Sequence, residues 1–259
     1  MKPISKNKIK QYKSLKLKKF RDQYKLFIAE GQKIVSDLIK YHAKNIECVI
    51  ADETWIMENP EISENIDTYN ARSNEFKTIS NLTTVTNVMA IVKIPKHTLD
   101  INHLSDQLVI ALDEIQDPGN LGTILRIANW FGVKHIICSE TTVDCYNPKV
   151  VQASMGTLMN VRIYYCNLPE VLTEIKNKNI APVYGTSLDG ENIYSQKLPQ
   201  HAVLLFGNES KGLSPLIKNI ITHKLIIPYI SDDLPVTDSL NVSVAAAICC
   251  SEFRRKAWL

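Results

Sequence analysis

Glycine is scarce in this 259-residue chain, with only nine residues, about half the ~7% usual for soluble proteins. Eight of the nine fall after residue 118, so each cluster there asks for a backbone reason. Long apolar runs are also missing. The longest, Val244 to Cys250, is far short of the ~20 residues that cross a bilayer as a helix. The lysine-rich N-terminus has no apolar stretch of the kind a secretory signal needs. The six cysteines (48, 138, 145, 166, 249 and 250) make neither a C-x-x-C nor a His/Cys ligand spacing, and most sit in apolar runs such as Ile136-Ile137-Cys138. They read as buried free thiols in a reducing cytoplasm, not as a disulfide framework or a zinc site. Neither G-x-G-x-x-G nor a Walker loop occurs, which argues against a dinucleotide-dependent oxidoreductase and a P-loop enzyme.

What is present is an ordinary globular balance, 45% apolar and 22% charged, enough for one large domain or two modest ones. The net charge of +3 hides a strong asymmetry. Residues 1–25 hold ten Lys/Arg and the single acid Asp22, while the remainder holds twenty bases and twenty-six acids. Lysine recurs every two or three positions over residues 2–25, with Tyr12, Leu15, Leu17, Phe20 and Tyr24 between. This stretch reads as a basic arm on an acidic body, suited to the phosphates of a nucleic acid.

Two regions differ in pattern. Residues 1–95 mix short helical and strand patterns: apolar residues at 34, 35, 38 and 39 have helical spacing, and 46–51 and 87–93 read as strands. Asp52 is placed to cap a short helix before Pro60. The polar stretch 96–106 reads as a linker. From residue 107, near-continuous apolar strands alternate with helices through to a closing helix over about 239–258, the pattern of an α/β domain whose parallel sheet is covered on both faces. Ligands of such sheets bind in the loops beyond the carboxyl ends of the strands.

Three loops there carry chemistry. The first, Asp113 to Arg126, joins an apolar strand to a helix through a Pro118-Gly119 turn, with Asn120 near the helix start and Arg126 about two turns in. The second, Phe206-Gly207-Asn208-Glu209-Ser210-Lys211-Gly212, sets a carboxylate between two glycines. Gly207 would admit close backbone approach and Gly212 a turn at positive φ. The third runs from Ile227-Pro228 through a polar segment to Ser239-Leu240-Asn241-Val242-Ser243-Val244-Ala245, with Asp238 or Ser239 as a helix N-cap.

In this order the three loops resemble the motifs of the SpoU (TrmH-like) family of RNA 2′-O-ribose methyltransferases. Phe27-Ile28-Ala29-Glu30-Gly31 and Val88–Pro95 resemble, more weakly, the small substrate-binding domain of many members. The resemblance implies a deep trefoil knot at the C-terminal end, a homodimer, and S-adenosylmethionine held largely by backbone groups. Its cofactor positions match Thr186, Phe206, Gly207, Gly212, Ile227 and Leu240, and its catalytic positions Arg126, Asn120, Glu209, Ser239 and Asn241. Arg126 is the residue to which members give proton removal. A guanidinium is a poor base, with pKa above ~12, and bidentate contact with an RNA phosphate suits it better. Asn120 and Glu209 are expected to hold Arg126 and the loops, and Ser239 and Asn241 to orient the ribose or support the pocket. Two features depart from the family: a longer segment before Ser239, carrying Asp232, Asp233 and Asp238, and Asn87-Val88 where Gln-Gly is often found. The expected division is 1–95 for RNA binding, 96–106 as linker and 107–259 for methyl transfer. Ribosomal RNA is the expected substrate, with transfer RNA as the alternative. A knotted RNA-binding protein without activity is the rival from another class.

Overall fold

The computed structural model describes residues 2–229 and 239–258, and of Leu188, Ala257 and Trp258 only the backbone. The chain divides into two units, Met1–Lys96 with Asp144–Met159, and His97–Val143 with Asn160–Leu259. No helix among the described residues is long and apolar enough to cross a membrane.

The first unit is built on a five-stranded sheet. In chain order its elements are β1 (Lys2–Pro3), α1 (Lys6–Ser14), α2 (Lys18–Tyr24), β2 (Leu26–Glu30), α3 (Gln32–His42), β3 (Ile46–Ala51), α4 (Glu53–Glu58), α5 (Pro60–Asn65), β4 (Thr68–Asn70), α6 (Ser73–Ile79) and β5 (Val88–Lys93). The strand order is β1-β4-β3-β5-β2. Asp52 caps α4 by accepting from the Trp55 N–H at 2.8 Å, as its side chain and position predict.

The basic segment is not a free arm. All its lysines but the half-buried Lys8 are exposed, while Ile4, Tyr12 and Leu15 are buried with Leu26, Ile28, Cys48, Ile50 and Met89 in one apolar cluster. Arg21 is 3% exposed. Lysines alternating with apolar residues at helical spacing describe an amphipathic helix packed on its own domain. Removing the segment would open the core, so charge substitutions, not deletion, are the way to probe it.

The second unit carries β6 (Leu108–Leu112), α7 (Pro118–Trp130), β7 (His135–Ser139), β8 (Arg162–Cys166), α9 (Leu168–Asn177), β9 (Val183–Asn192), β10 (Ala202–Phe206), α10 (Pro215–Lys218), β11 (His223–Ile226) and α11 (Val242–Arg254); between β7 and β8 the chain makes α8 (Pro148–Ala153), which belongs to the first unit. The six strands run in the order β11-β9-β10-β6-β7-β8, and every pairing is parallel. β6 and β10 are buried along their whole length, as strands covered on both faces must be. The polar stretch 96–106 is more than a tether, because Ile101 and Leu104 are buried in the second unit's core with Leu168, Leu172 and Ile175. None of the six cysteines is in a disulfide; five are buried and Cys166 is half-buried.

Two helix starts differ from expectation. Pro118 and Gly119 do not form a turn ahead of α7; they are its first turn, with Asp117 as N-cap accepting from the Asn120 N–H at 2.7 Å. Proline suits that position, since its fixed φ is helical and no N–H is needed there. The N-cap of α11 is Asn241, two or three residues beyond the expected Asp238 or Ser239. Asp232, Asp233 and Asp238 lie outside the described residues.

Candidate active site

The carboxyl ends of β6, β10 and β11 carry the loops that the motifs single out. Register sets their neighbours. Leu205 on β10 pairs with Gly185 on β9, which puts Thr186 beside Phe206, and β11 joins the outer side of β9. Phe206-Gly207 and Ile227 therefore stand at the ends of β10 and β11, while Thr186 lies within β9, ahead of the register shift in its pairing with β11. Thr186 and Ile227 are half-buried, Phe206 is buried, and Leu240 is 49% exposed.

The second loop is folded tightly on itself. Asn208 N–H donates to Gly212 O at 3.1 Å and Gly212 N–H to Asn208 O at 2.9 Å. A Cβ on Gly207 would lie 2.5 Å from the Gly212 carbonyl carbon and 2.6 Å from the Leu213 nitrogen, and Gly212 has φ +65°. Both glycines are thus required by the loop's own backbone, which keeps it compact whether or not a ligand approaches.

Three loops meet through side-chain amides. Asn241 Oδ1 accepts from Ser243 N–H at 2.9 Å, Ser243 Oγ at 2.6 Å and Val244 N–H at 3.4 Å. With its oxygen committed to capping α11, its amino group is the side free to donate, and it does so to Asn120 Oδ1 at 2.9 Å. Asn120 then has only its amino group left, which donates to Glu209 Oε1 at 2.8 Å. The direction of this Asn241–Asn120–Glu209 chain is dictated by valence, because each amide has one acceptor side and one donor side. It ends on a carboxylate whose second oxygen takes no hydrogen bond from a described residue.

Further ties fix the same loops. Asp113, 4% exposed at the end of β6, accepts from Ser214 N–H at 2.8 Å. Asn208 Nδ2 donates to Glu114 O at 3.0 Å, and its Oδ1 accepts from the Ser210 and Lys211 amides. Sequence reasoning misses both Asp113 and Asn208, although they stand inside the motif loops; a carboxylate closing an otherwise apolar strand is the available signal. At the other end of the helix pair, Arg254 Nε donates to Phe131 O at 3.1 Å. Helices α7 and α11 therefore lie parallel, pinned at both ends. Beside Thr186, the Lys224 ammonium at 2.6 Å and the Ser187 hydroxyl hold the Asp189 carboxyl down to about 2.

Arg126 is exposed on α7. Among the described residues no hydrogen bond or ion pair reaches it, so Asn120 and Glu209 bind each other and do not hold the arginine. Ser239 is exposed and Asn241 is the cap. The structure thus joins Asn120, Glu209 and Asn241 and leaves Arg126 presented to solvent.

The profile of the SpoU rRNA Methylase family matches residues 107–251, which include all three loops. The chain belongs to that family. Residues 6–90 match an MRM3-like substrate binding domain. The 23S rRNA (guanosine(2553)-2′-O)-methyltransferase RlmP of Bacillus subtilis is 30% identical over 249 residues, covering 95% of this chain and 96% of that protein. A protein of the TrmH family from Porphyromonas gingivalis superposes with a TM-score of 0.85 at 34% identity, over 98% of this chain and 99% of that one. An AdoMet-bound rRNA methyltransferase from Sinorhizobium meliloti gives a TM-score of 0.82 at 25% identity, over 99% and 97%. In this SpoU-family methylase the three motif loops are joined to one another by the Asn241–Asn120–Glu209 chain.

Proposed function

We propose that this protein transfers a methyl group from S-adenosylmethionine to a ribose 2′-hydroxyl of ribosomal RNA, in the cytoplasm and as a homodimer. The observation that carries the reading is the Asn241–Asn120–Glu209 chain, which ties the three motif loops into one unit on the helix that also carries Arg126. The rRNA preference follows the relatives that match along the whole chain, RlmP among them. Six free cysteines suit a reducing compartment. Exposed Trp130 (81%) on α7 and Val244 (46%) on α11 are large apolar groups that a second copy would cover. The reading includes the trefoil knot, supported by a chain order in which β11 lies beside β9 and not beside β10, which precedes it.

The residues at the strand ends fit the cofactor. Gly207 leaves main chain in place of side chain, and Ile227 and Leu240 add apolar surface, the combination an adenine needs. When bound, S-adenosylmethionine supplies the methyl group on a sulfonium that is already a good electrophile. The protein's own work is therefore alignment and proton management. Arg126, with five N–H donors and no acceptor, grips a phosphate flanking the target ribose through two parallel bonds. Glu209, fixed at Oε1 by Asn120, keeps Oε2 as a hydrogen-bond acceptor in the site, and Asn241 sets Asn120. The test is incubation with methyl-radiolabelled S-adenosylmethionine and total RNA, mapping any 2′-O-methyl position. Arg126→Ala is expected to abolish transfer with cofactor binding retained in calorimetry. Cofactor binding without transfer to any RNA would leave the non-catalytic RNA-binding reading in its place.

A further inference from the structure

Two charged side chains of the first unit are nearly fully buried and take no part in the motif loops: Arg21 (3% exposed) and Glu30 (4%). Burying a charge is costly unless it is fully paired, so what each one holds in place is informative. Arg21 donates through Nη1 to the Leu15 and Lys16 carbonyls at 2.8 and 2.9 Å, and through Nη2 and Nε to Asp144 Oδ2 at 2.6 and 3.1 Å. Asp144 in turn accepts from Tyr146 N–H at 3.1 Å and opens the turn into α8. Glu30 accepts from Asn81 N–H at 2.9 Å and from the Ser80 hydroxyl, while Lys16 Nζ donates to Ser80 O at 2.8 Å. The two buried charges therefore fix three separate stretches: Leu15-Lys16, Ser80-Asn81, and the lead into α8.

Those same three stretches wall one cavity of about 490 Å³, within the ~300–1,000 Å³ range of small-ligand sites. Leu82, Pro148 and Ala153 give it apolar surface, Lys16 and Lys149 stand on it, and no carboxylate lines it. Lys149 Nζ and the Gln152 side-chain amide make no hydrogen bond among the described residues, and Lys16 has used only one of its three donors. Another cavity of the unit, about 450 Å³, is lined by Glu64 and Asp67 beside a single lysine, and would repel an anion.

From this we infer that the cavity between Lys16, Leu82 and α8 binds one nucleotide of the RNA substrate, with the base on the apolar wall, its edge read by Gln152, and a flanking phosphate on Lys149 and Lys16. The inference rests on the RNA reading above and adds a recognition point built by none of the three motif loops. An apolar surface with one free amide suits an unstacked base, and a pair of ammoniums its phosphate.

The experiment uses the full chain and fluorescein-labelled decaribonucleotides rA10 and rU10. Lys149→Glu, at an exposed position, is expected to weaken both about tenfold at 0.1 M salt and to make the log–log salt slope shallower by about 0.7 to 1. Lys44→Glu, the same charge change on a residue that does not line the cavity, is expected to bind within about twofold of wild type. Gln152→Ala should change the rA10-to-rU10 affinity ratio by about fivefold or more, with cofactor binding unchanged. With wild-type protein, a decamer carrying 4-thiouridine should cross-link to a peptide within 147–153. Equal losses for Lys149→Glu and Lys44→Glu, or cross-links only elsewhere, overturn the inference. So does preferential binding of hexaglutamate, which would make the cavity a peptide site. If RNA methylation proceeds with the same KM in wild type and Lys149→Glu, the cavity inference falls and the methyltransferase reading stands. If wild type neither binds nor methylates RNA, both fall.

Discussion

Replacing Asn241 with aspartate separates two tasks that the residue performs at once. Its Oδ1 caps α11, and its amino group donates to Asn120 at 2.9 Å. Aspartate caps a helix as well as asparagine does, and its charge favours a helix N-terminus by about 0.3–1 kcal/mol. It cannot donate. Asn120 would then face a carboxylate on either side, Glu209 and the one introduced at the cap, with one amino group to share between them. The loss of one hydrogen bond to a charged group is worth about 1.5–3 kcal/mol. If that energy is needed to hold Glu209 in the transition state, kcat/KM falls roughly 10- to 150-fold. Thermal stability should hold or rise. Asn241→Ala removes both tasks, so it should show a similar kinetic loss and also lose about 1 kcal/mol of capping, about 2–4 °C in Tm for a chain of this size. The assay is initial-rate methyl transfer from radiolabelled cofactor, paired with thermal melting of all three proteins. Wild-type kcat/KM in Asn241→Asp would refute the role of the amide chain; a melting loss in Asn241→Asp equal to that of Asn241→Ala would refute the division of tasks.

Three other outcomes follow from the same structure. Gly207→Ala must displace the Gly212–Leu213 backbone, since its Cβ would sit 2.5 Å from a carbonyl carbon; cofactor affinity by calorimetry should fall about tenfold or more while far-UV circular dichroism is unchanged. Burial pushes the thiols of Cys48 and Cys166 up to about 11 and that of Cys249 to about 12. These groups stay protonated in the fold while unfolded thiols ionise near 9, so their contribution to the urea-unfolding free energy should be constant between pH 7 and 9 and decline from pH 9 toward 11, with Cys166 the first to react with a thiol reagent. Lys6, Lys10 and Lys13 are exposed at i, i+4 and i+7 on α1; reversing all three should weaken RNA binding and lower its salt slope by about 2, and an unchanged slope would remove this face from the RNA reading.

The alternation of strands and helices after residue 107 is legible because it is local. Each buried strand is a continuous apolar run, and each helix has its own periodicity. Boundaries are less so, for physical reasons that differ by case. Pro118-Gly119 looks like a turn in sequence, yet the Asp117 cap makes it the first turn of a helix. Ile101 and Leu104 are only two apolar residues in a polar stretch, too few to signal a buried segment until the core they enter is known. The basic segment misleads in the opposite direction. Charge counted along the chain cannot separate a free arm from a packed helix that exposes most of its lysines, and the deciding residues are Tyr12 and Leu15, at 2% and 1% exposure.

The site shows where reading along the chain runs out. Motif order brings Asn120, Glu209 and Asn241 into one list, but not into contact: Asn120 and Glu209 are 89 residues apart, and Asn120 and Asn241 are 121 apart. No periodicity links such positions; the parallel strand order does, by setting the ends of β6 and β10 side by side. Once they are adjacent, the chemistry is more constrained than a list of polar residues suggests. Asn241 can donate only because its oxygen is spent on α11, and Asn120 can reach Glu209 only because its own oxygen is spent on Asn241. Asparagine is thus required at both places for opposite ends of the same amide. Aspartate would satisfy the cap and break the chain, and serine would satisfy the cap and fall short of Asn120. Arg126 stands outside this logic, exposed on α7 with no hydrogen bond or ion pair among the described residues. A side chain not held by Asn120 and Glu209 can reorganise around RNA, whereas one locked by them could grip a phosphate only by giving up those bonds.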